Sequence, residues 1–323
     1  MKILLRLVFV LAGTSLTNPI GAAEKRAEPA VFQRPEKGNG SVRLVTDVIK
    51  QESRMFKSTP QGDLRMHLFY PAGWKSSDRR PVIVMFFGGG WRGGSAVQFM
   101  PQAEYFASRG LVCALADFRI ASVHGTKPDA CVEDAKSAVR WVRAHAAELG
   151  VDPGRLISSG GSSGGQMAAA VALVPGIDAP GDEAKISPVP NAMVLFNPGL
   201  NLTPSDDAQK YAGVTNAAGE PIAAKISPIR FLKPGAPPAI IFFGTADDGL
   251  ERHGLTFLKK SQELGNRCEV WTAAGQPHGF FNRQPWTTAT AIQADKFLVS
   301  LGYLKGAPTL PPADTAAQLV QVK

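Results

Sequence analysis

Short, wholly apolar runs alternate with longer, helix-like segments over most of the chain. Runs of this kind are typical of strands that are buried on both faces of a parallel sheet, and the longer segments have the period of helices that cover such a sheet. The pattern predicts six buried strands, at residues 82–87, 111–116, 156–159, 192–196, 239–243 and 269–272. The alternation therefore predicts an α/β fold: a doubly wound, mostly parallel sheet with helices on both faces.

The segments between these strands complete the predicted layout. They predict helices at residues 101–108, 129–149, 163–173, 250–264 and 287–301. Ahead of the first buried strand, two moderately alternating segments, residues 42–50 and 63–70, predict an antiparallel pair of strands. Because a doubly wound sheet binds its ligands at the carboxyl ends of its strands, the chemistry is expected in the loops that follow the strands.

Both ends of the chain and one internal segment depart from this pattern. Residues 1–23 have a basic start, an apolar run and a small-residue end, which is typical of a secretory signal peptide. Residues 24–40 predict a flexible leader, and residues 305–323 predict a disordered tail. Residues 41–304 are expected to form one large domain, in which residues 200–234 form a small lid or a pocket wall.

The signal peptide indicates export, to the periplasm or to the medium. Gly13, Asn18 and Pro19 interrupt its apolar run well before the roughly 20 residues that a membrane span needs, so no stable membrane association is expected after cleavage. Cleavage removes Lys2 and Arg6 and no acidic residue, which leaves a formal net charge of +6 instead of +8. The remaining basic residues are scattered, which favours a solvated basic surface, and no nucleic-acid partner is expected.

The three cysteines offer little chemistry. Cys113, Cys131 and Cys268 cannot all pair within one molecule, so one disulfide at most is expected, and none of them has a metal-ligand spacing. Cys113 lies in an apolar run, where a small buried side chain is the natural interpretation. These spacings predict no cysteine metal site.

A glycine-flanked serine lies where strand 156–159 passes into helix 163–173. The turn reads Gly-Gly-Ser-Ser-Gly-Gly, and both Ser162 and Ser163 have a glycine two positions before and two positions after them. A strand, a serine between glycines and a helix are typical of a nucleophile elbow, which exposes the hydroxyl at a helix N-terminus. A phosphate-binding loop is the alternative, but the Lys-Ser/Thr pair of a P-loop and a first-strand G-x-G-x-x-G are both missing.

This turn resembles the elbow of the acetyl-esterase and carbohydrate-esterase branch of the α/β hydrolases, which is related to the hormone-sensitive-lipase group. That elbow reads Gly-x-Ser-Ala-Gly-Gly, so alignment on the double glycine places the nucleophile at Ser162. The segment Phe-Gly-Gly-Gly-Trp that ends at Trp91 is similar to the family's His-Gly-Gly-Gly-Trp, which builds the oxyanion hole. The resemblance implies oxyanion donors at the N–H groups of Gly89, Gly90 and Ser163.

Phe87, Trp91 and His124 lie at or after the ends of predicted strands, at the edge of the sheet where the chemistry is expected. Phe87 departs from the family's histidine, but that histidine supports the loop rather than reacting, so the backbone donors can survive the change. Trp91 is a candidate for substrate binding. His124 lies in the loop after strand 111–116, at the same edge of the sheet, and is a second candidate, with an ordinary surface histidine as the alternative.

The acid and the base follow later strands. After strand 239–243 the chain reads Gly-Thr-Ala-Asp-Asp-Gly, which resembles the family's Gly-Thr-x-Asp signature and selects Asp247, with Asp248 as a solvated or capping alternative. His278 lies in a loop just after the last predicted parallel strand, as the family's terminal histidine does. His253 falls within a predicted helix, where a packed or solvated side chain is expected. The chain order Ser, Asp, His is that of the α/β hydrolases.

The resemblance covers about residues 42–301. It implies an α/β-hydrolase fold and an exported serine carboxylic-ester hydrolase in which Ser162, His278 and Asp247 cleave short, acetyl-like esters of small molecules or oligosaccharides. A lipase or a dipeptidyl-peptidase-like hydrolase of the same fold is an alternative. So is a relative that binds such compounds without catalysis. No metal and no organic cofactor are expected, because the serine hydrolysis that the resemblance implies requires neither.

Overall fold

Nine strands of the described chain form one sheet. The computed structural model describes residues 32–38, 40–46, 49–202, 221–312 and 317–323. The strands are β1 (Lys50–Thr59), β2 (Gly62–Tyr70), β3 (Arg80–Phe86), β4 (Val112–Ala116), β5 (Val151–Gly161), β6 (Ala192–Phe196), β7 (Ala239–Gly244), β8 (Cys268–Ala273) and β9 (Leu319–Gln321). Their order in the sheet is β1-β2-β4-β3-β5-β6-β7-β8-β9. Strands β3 to β8 are mutually parallel, and β1, β2 and β9 add antiparallel pairings at the two sides.

Helices connect the parallel strands. They are α1 (Met100–Ser108), α2 (Ala121–His124), α3 (Pro128–Ala144), α4 (Ala146–Leu149), α5 (Ser163–Leu173), α6 (Ile222–Ile226), α7 (Thr256–Glu263), which continues a π-helical turn (Leu250–Leu255), and α8 (Trp286–Ser300). Helix α1 contacts α8, and α3 contacts α5. The chain leaves β3 in one direction through α1 and returns in the other through α3, and right-handed crossovers then put the two helix groups on opposite faces. The predicted doubly wound sheet is therefore confirmed. None of the helices in the described ranges is both long and apolar enough to cross a membrane.

The first strand begins later than the sequence predicts. Residues 42–46 are not in a strand, and β1 instead extends to Thr59, whose Cα pairs with that of Gly62 across a tight turn. Strand β1 lies at the edge of the sheet and is half-buried along most of its length. Its apolar pattern is weak for that reason, so the predicted bounds of 42–50 are wrong for residues 42–46 and 49, whereas the predicted antiparallel pairing with the next strand is confirmed.

Parts of both terminal segments pack onto the domain. The Phe32 ring stacks on His67 with 3.9 Å between centroids, and Arg34 pairs with the buried Glu104. At the other end β9 pairs with β8, and Ala317 is buried. The predictions of a flexible leader and a disordered tail are wrong for these residues, because apolar side chains in both segments cover the domain surface. Residues 1–31, which include the predicted signal peptide, and residues 313–316 lie outside the described residues.

The six parallel strands bring six loops to one edge of the sheet. The register pairs Phe86 at the end of β3 with Gly160 in β5, and Gly161 with Phe196 at the end of β6. Farther along, Gly244 at the end of β7 pairs with Ala273 at the end of β8. The loops that carry the predicted chemistry therefore start side by side.

Candidate active site

Ser162 lies in a sharp turn between β5 and α5. Its backbone has φ 54° and ψ −120°, a conformation that is sterically unfavourable for any residue with a side chain. A Cβ at Gly160 would lie 2.4 Å from the carbonyl carbon of Gly164, and a Cβ at Gly164 would lie 2.1 Å from the carbonyl oxygen of Phe86. The Ser162 N–H donates to the carbonyl oxygen of Phe196 over 2.8 Å. The glycines thus allow the tight turn, and β6 holds the serine backbone in place.

Ser162, His278 and Asp247 form a continuous hydrogen-bonded chain. The Nε2 atom of His278 lies 2.9 Å from the Ser162 Oγ, and its Nδ1 lies 2.9 Å from the Asp247 Oδ2. When Nδ1–H donates to the carboxylate, Nε2 is left as an acceptor for the serine hydroxyl. The His278 side chain is 53% exposed and the Asp247 side chain 5% exposed, so the histidine faces solvent and the carboxylate lies behind it. The neighbouring Ser163 Oγ is buried and has no hydrogen-bond partner among the residues that the structure describes.

The Asp247 carboxylate is held by three donors. Besides His278, the Gly249 N–H donates to Oδ1 over 2.9 Å, and the Asn197 Nδ2 donates to Oδ2 over 2.5 Å. Burial by itself raises the pKa of Asp247, but the hydrogen bonds from His278, Gly249 and Asn197 outweigh it and leave the pKa below its ordinary value. The carboxylate is therefore ionised at neutral pH and can stabilise a positive charge on His278.

The glycine-rich loop after β3 packs directly against the elbow. Gly89 has φ 141°, and a Cβ there would lie 2.1 Å from the Gly93 carbonyl oxygen, so a side chain does not fit. A Cβ at Gly88 would lie 3.1 Å from the Ser162 Cβ. Gly89, Gly90 and Ser163 line the cavity that contains Ser162. Their N–H groups can donate to an oxyanion formed on a carbonyl attacked by Ser162.

The glycine-rich loop is supported although Phe87 stands in place of the family's histidine. Its ring is buried and stacks on Phe118 at 4.0 Å between centroids. The adjacent Gly88 N–H donates to the Gln98 Oε1 over 2.6 Å, so Gln98 supplies a side-chain hydrogen bond to the loop. Trp91 follows the glycines with φ 59°, and its Nε1 donates to the Gln166 Oε1 over 3.0 Å.

The cavity around Ser162 has a volume of about 720 Å³. Both apolar and polar side chains contribute to the rest of its wall. The apolar ones are Leu202, Phe243, Ala246 and Pro277, and the polar ones are Asn197, Asp248, Arg252 and His253. Leu202 belongs to the segment 200–234 that the sequence predicts as a lid or pocket wall. Residues 203–220 of that segment lie outside the described residues.

Of the two predicted substrate-binding residues, one lines the cavity and the other does not. Trp91 lies on the cavity wall, whereas His124 is not among the lining residues. The Ile120 N–H donates to the His124 Nδ1 over 2.9 Å, and the Ala121 N–H donates to the Trp91 carbonyl oxygen over 3.0 Å. The His124 side chain thus bonds back to the residue just before the short helix α2. Helix α2 in turn bonds to the chain just after the glycine-rich loop.

Two wall residues escaped the sequence analysis. His253 lies in a helical turn and is packed, as the sequence predicts, with its Nδ1 accepting the Asn201 N–H over 3.0 Å, but it also lies on the cavity wall. Asn197 contacts the acid directly. Its position just after a buried parallel strand was the available signal, because such positions lie at the ligand-binding edge of the sheet.

Other reactive chemistry is limited in the part of the chain that the structure describes. In these ranges no group of three or more His, Cys, Asp and Glu side chains could hold a metal ion. Cys113, Cys131 and Cys268 are free thiols, and burial raises the pKa of all three. A neutral buried thiol is a poor nucleophile.

Comparison with known proteins gives consistent matches. Residues 66–261 match the BD-FAE family model. The apo form of Thermogutta terrifontis esterase 2 is 44% identical, with a TM-score of 0.74 over 79% of this chain and 96% of that chain. Other structures of esterase 2 have propionate or butyrate bound, and one is phosphonylated by sarin.

Curated relatives match over shorter stretches. The carboxylesterase NlhH of Mycobacterium tuberculosis is 35% identical over 112 residues, 34% of this chain and 34% of NlhH. The carboxylic ester hydrolase LipN of the same organism is 27% identical over 245 residues, 69% of this chain and 62% of LipN. This chain thus aligns with about a third of the length of NlhH. Since the family model covers more than half of the chain and esterase 2 matches along nearly its whole length, the chain belongs to the BD-FAE family and is an α/β-hydrolase-fold esterase.

Proposed function

We propose that this protein is an exported serine carboxylic-ester hydrolase that cleaves short, acetyl-like esters of carbohydrates. One observation carries the proposal. The Ser162 hydroxyl, the His278 imidazole and the Asp247 carboxylate are linked by two hydrogen bonds of 2.9 Å at the wall of a single cavity. This mutual geometry supports the roles of nucleophile, base and orienting acid that we propose for the three residues in acyl transfer.

The first half-reaction forms an acyl-enzyme. As the Ser162 Oγ bonds to the ester carbonyl carbon, His278 Nε2 takes the hydroxyl proton and the carbonyl π electrons move onto oxygen. Asp247 stabilises the imidazolium and keeps its Nδ1 proton in place. When the oxyanion collapses, the bond to the alcohol oxygen breaks, and that oxygen takes the proton from His278.

The second half-reaction consumes water. A water molecule gives a proton to His278 Nε2 as its oxygen attacks the acyl carbon, and a second oxyanion forms. Collapse of that oxyanion breaks the bond to Ser162 Oγ, which recovers the proton from His278. The products are the alcohol and the carboxylic acid, and the enzyme is regenerated.

The oxyanion of both steps is assigned to the N–H groups of Gly89, Gly90 and Ser163. All three residues line the cavity beside Ser162, and Ser163 begins helix α5, whose N-terminus favours negative charge. Loss of one such donor typically lowers kcat by about 100-fold or more. The positive φ at Gly89 and Gly90 orients the backbone of this loop before substrate binds.

Two features support the substrate class. Propionate and butyrate are bound in structures of esterase 2, which favours short acyl groups here. The cavity wall includes polar side chains at Asn197, Asp248, Arg252 and His253, and such a wall suits an alcohol that carries hydroxyl groups better than a lipid. Export, proposed from residues 1–23, would bring the enzyme to polysaccharides outside the cell.

The proposal is tested by hydrolysis of p-nitrophenyl acetate, butyrate and octanoate beside acetylated xylan, with Ser162→Ala as the matched control. We expect kcat/KM to fall from acetate to octanoate, acetate to be released from xylan, and the variant to be inactive on all four. A preference for octanoate would refute the acyl assignment, and no release from xylan would refute the carbohydrate assignment.

A fluorophosphonate probe tests the chemistry separately from the substrate. Wild-type protein should be labelled on Ser162, and Ser162→Ala should not be labelled. Absence of labelling in the folded wild type would favour a binding protein without catalysis.

A further inference from the structure

Asn197 occupies a strained position at the end of β6. Its φ is 46°, although it is not glycine, and it is 1% exposed. Its N–H donates to the Phe242 carbonyl oxygen over 2.8 Å, which continues the pairing of β6 with β7 by one step. Asparagine tolerates the left-handed region better than most residues, so the backbone alone limits what this position accepts.

The position links the nucleophile to the acid. The carbonyl oxygen of Phe196, the preceding residue, accepts the Ser162 N–H over 2.8 Å. The side chain of Asn197 reaches the other way, and its Nδ2 donates to the Asp247 Oδ2 over 2.5 Å. One turn of chain at the end of β6 therefore contacts both residues that flank His278.

The orientation of the Asn197 amide is set by charge. Its Oδ1 is buried without a hydrogen-bond partner among the described residues. Rotating the amide by 180° would direct this oxygen at the ionised Asp247 carboxylate, so the donor side must face Asp247. A buried carbonyl left unpaired is unfavourable for stability, whereas the amide nitrogen is paired with Asp247.

Asn197 and His278 compete for the same atom. Both Nδ2 of Asn197 and Nδ1 of His278 bond to Oδ2 of Asp247, while the Gly249 N–H holds Oδ1. We propose that Asn197 is a positioning residue of the ester hydrolysis, which orients the Asp247 carboxylate toward His278 and, by sharing Oδ2, limits how strongly that carboxylate favours the protonated imidazole. This inference rests on the proposed function.

The sharing of the Asp247 Oδ2 by Asn197 and His278 affects the protonation of the catalytic base. A protonated His278 cannot accept the Ser162 proton, so the resting enzyme must keep the imidazole neutral. Without the Asn197 donor, the charge on Oδ2 is directed at His278 alone and favours the imidazolium. A second carboxylate at position 197 would favour it further, because it replaces a donor to Asp247 by an additional negative charge near the imidazole.

Two variants and one control test this. Asn197→Gly removes the donor and tolerates the positive φ, and Asn197→Asp keeps the shape of the side chain but replaces the donor by a charge. The control is Asn191→Asp, the same substitution at the amino end of β6. There the Asn191 Oδ1 accepts the Leu156 N–H over 3.1 Å, and aspartate retains that acceptor.

The readout is the pH dependence of kcat/KM on p-nitrophenyl acetate. We expect the midpoint of the acid limb to rise by about 0.5–1 pH unit in Asn197→Gly and by more in Asn197→Asp, a scale set by one hydrogen bond to a charged group. The plateau kcat should fall about tenfold in Asn197→Gly with KM within about threefold of wild type, since a positioning residue acts on the chemical step. Asn191→Asp should keep the wild-type midpoint.

The inference is overturned if folded variants, checked by circular dichroism, keep the wild-type midpoint, even when their rate is lower at every pH. That result would give Asn197 a structural role alone, at the end of β6. An equal shift in Asn191→Asp would overturn it too. If one Asn197 variant does not fold, the other decides. Failure of the wild type itself to hydrolyse the ester or to take the fluorophosphonate probe would instead refute the proposed function.

Discussion

Gln98 should control the rate through the glycine-rich loop, although it does not line the cavity. The perturbation is Gln98→Met, which keeps the length of the side chain and removes the acceptor of the Gly88 N–H. Gly88 is buried and packs on the elbow, where a Cβ would lie 2.8 Å from the Gly161 carbonyl oxygen. The unpaired N–H can therefore reach water only if the loop moves away from Ser162.

The magnitude follows from these contacts. A buried donor left without an acceptor costs about 1–3 kcal/mol, which for a chain of this size lowers Tm by about 2–5 °C. Movement of the loop displaces the N–H groups of Gly89 and Gly90. Complete loss of one oxyanion donor lowers kcat by about 100- to 1000-fold, so a displaced loop should lower it by about 10- to 100-fold.

The assay is steady-state hydrolysis of p-nitrophenyl acetate together with thermal unfolding. Gln102→Met is the matched control, because Gln102 lies one turn along in α1 and its buried Oε1 has no partner in the described part of the chain. The control should keep kcat within about twofold of wild type. If Gln98→Met also retains wild-type kcat and Tm, the bond to Gly88 does not hold the loop and the reasoning fails.

Three further predictions concern the residues around Ser162. Ser162→Ala should abolish hydrolysis with an unchanged circular dichroism spectrum. Ser163→Ala should retain most of the activity, because the Ser163 Oγ has no hydrogen-bond partner in the described ranges and its assigned role belongs to its N–H; the reverse result would put the nucleophile at Ser163. Because hydrogen bonds lower the pKa of Asp247, its contribution to stability is complete above the ordinary carboxyl value of about 3.9 and is lost as the pH falls below it. In urea unfolding, the stability difference between wild type and Asp247→Asn should therefore narrow from about pH 5 to about pH 3, and a constant difference would contradict this. His124→Ala should lower kcat/KM by less than about tenfold, and by the same factor for p-nitrophenyl acetate and a sugar ester, because the His124 side chain bonds to the start of α2 and not to substrate. A loss confined to the sugar ester would make His124 a substrate contact.

The fold class could be predicted because it depends on local patterns. Buried parallel strands are apolar along their whole length, and the helices between them have their own period, so both can be recognised without knowing their neighbours. The same approach failed at the edges. Strand β1 is half-buried and has no clear period, and β9 is a three-residue strand that exists because β8 is beside it.

In the candidate site, too, local patterns predicted some features, and others depended on neighbouring elements. The glycine spacing around Ser162 and Ser163 is the same, and without the family resemblance the sequence could not choose between them. In the structure the neighbours differ, because Gly161 faces the Phe281 ring and the Ser162 hydroxyl faces His278. This difference comes from a loop that lies more than a hundred residues away along the chain.

The sequence by itself thus determined the doubly wound sheet and the loops that carry the serine, the aspartate and the histidine, because apolar periodicity and turn glycines are local properties. Tertiary structure decided which residues share a hydrogen bond. Gln98 supports the glycine-rich loop, Asn197 contacts Asp247, and the His124 Nδ1 accepts the Ile120 N–H at the start of α2. Contacts of this kind depend on how distant strand ends and loops pack in three dimensions, and no local pattern encodes them.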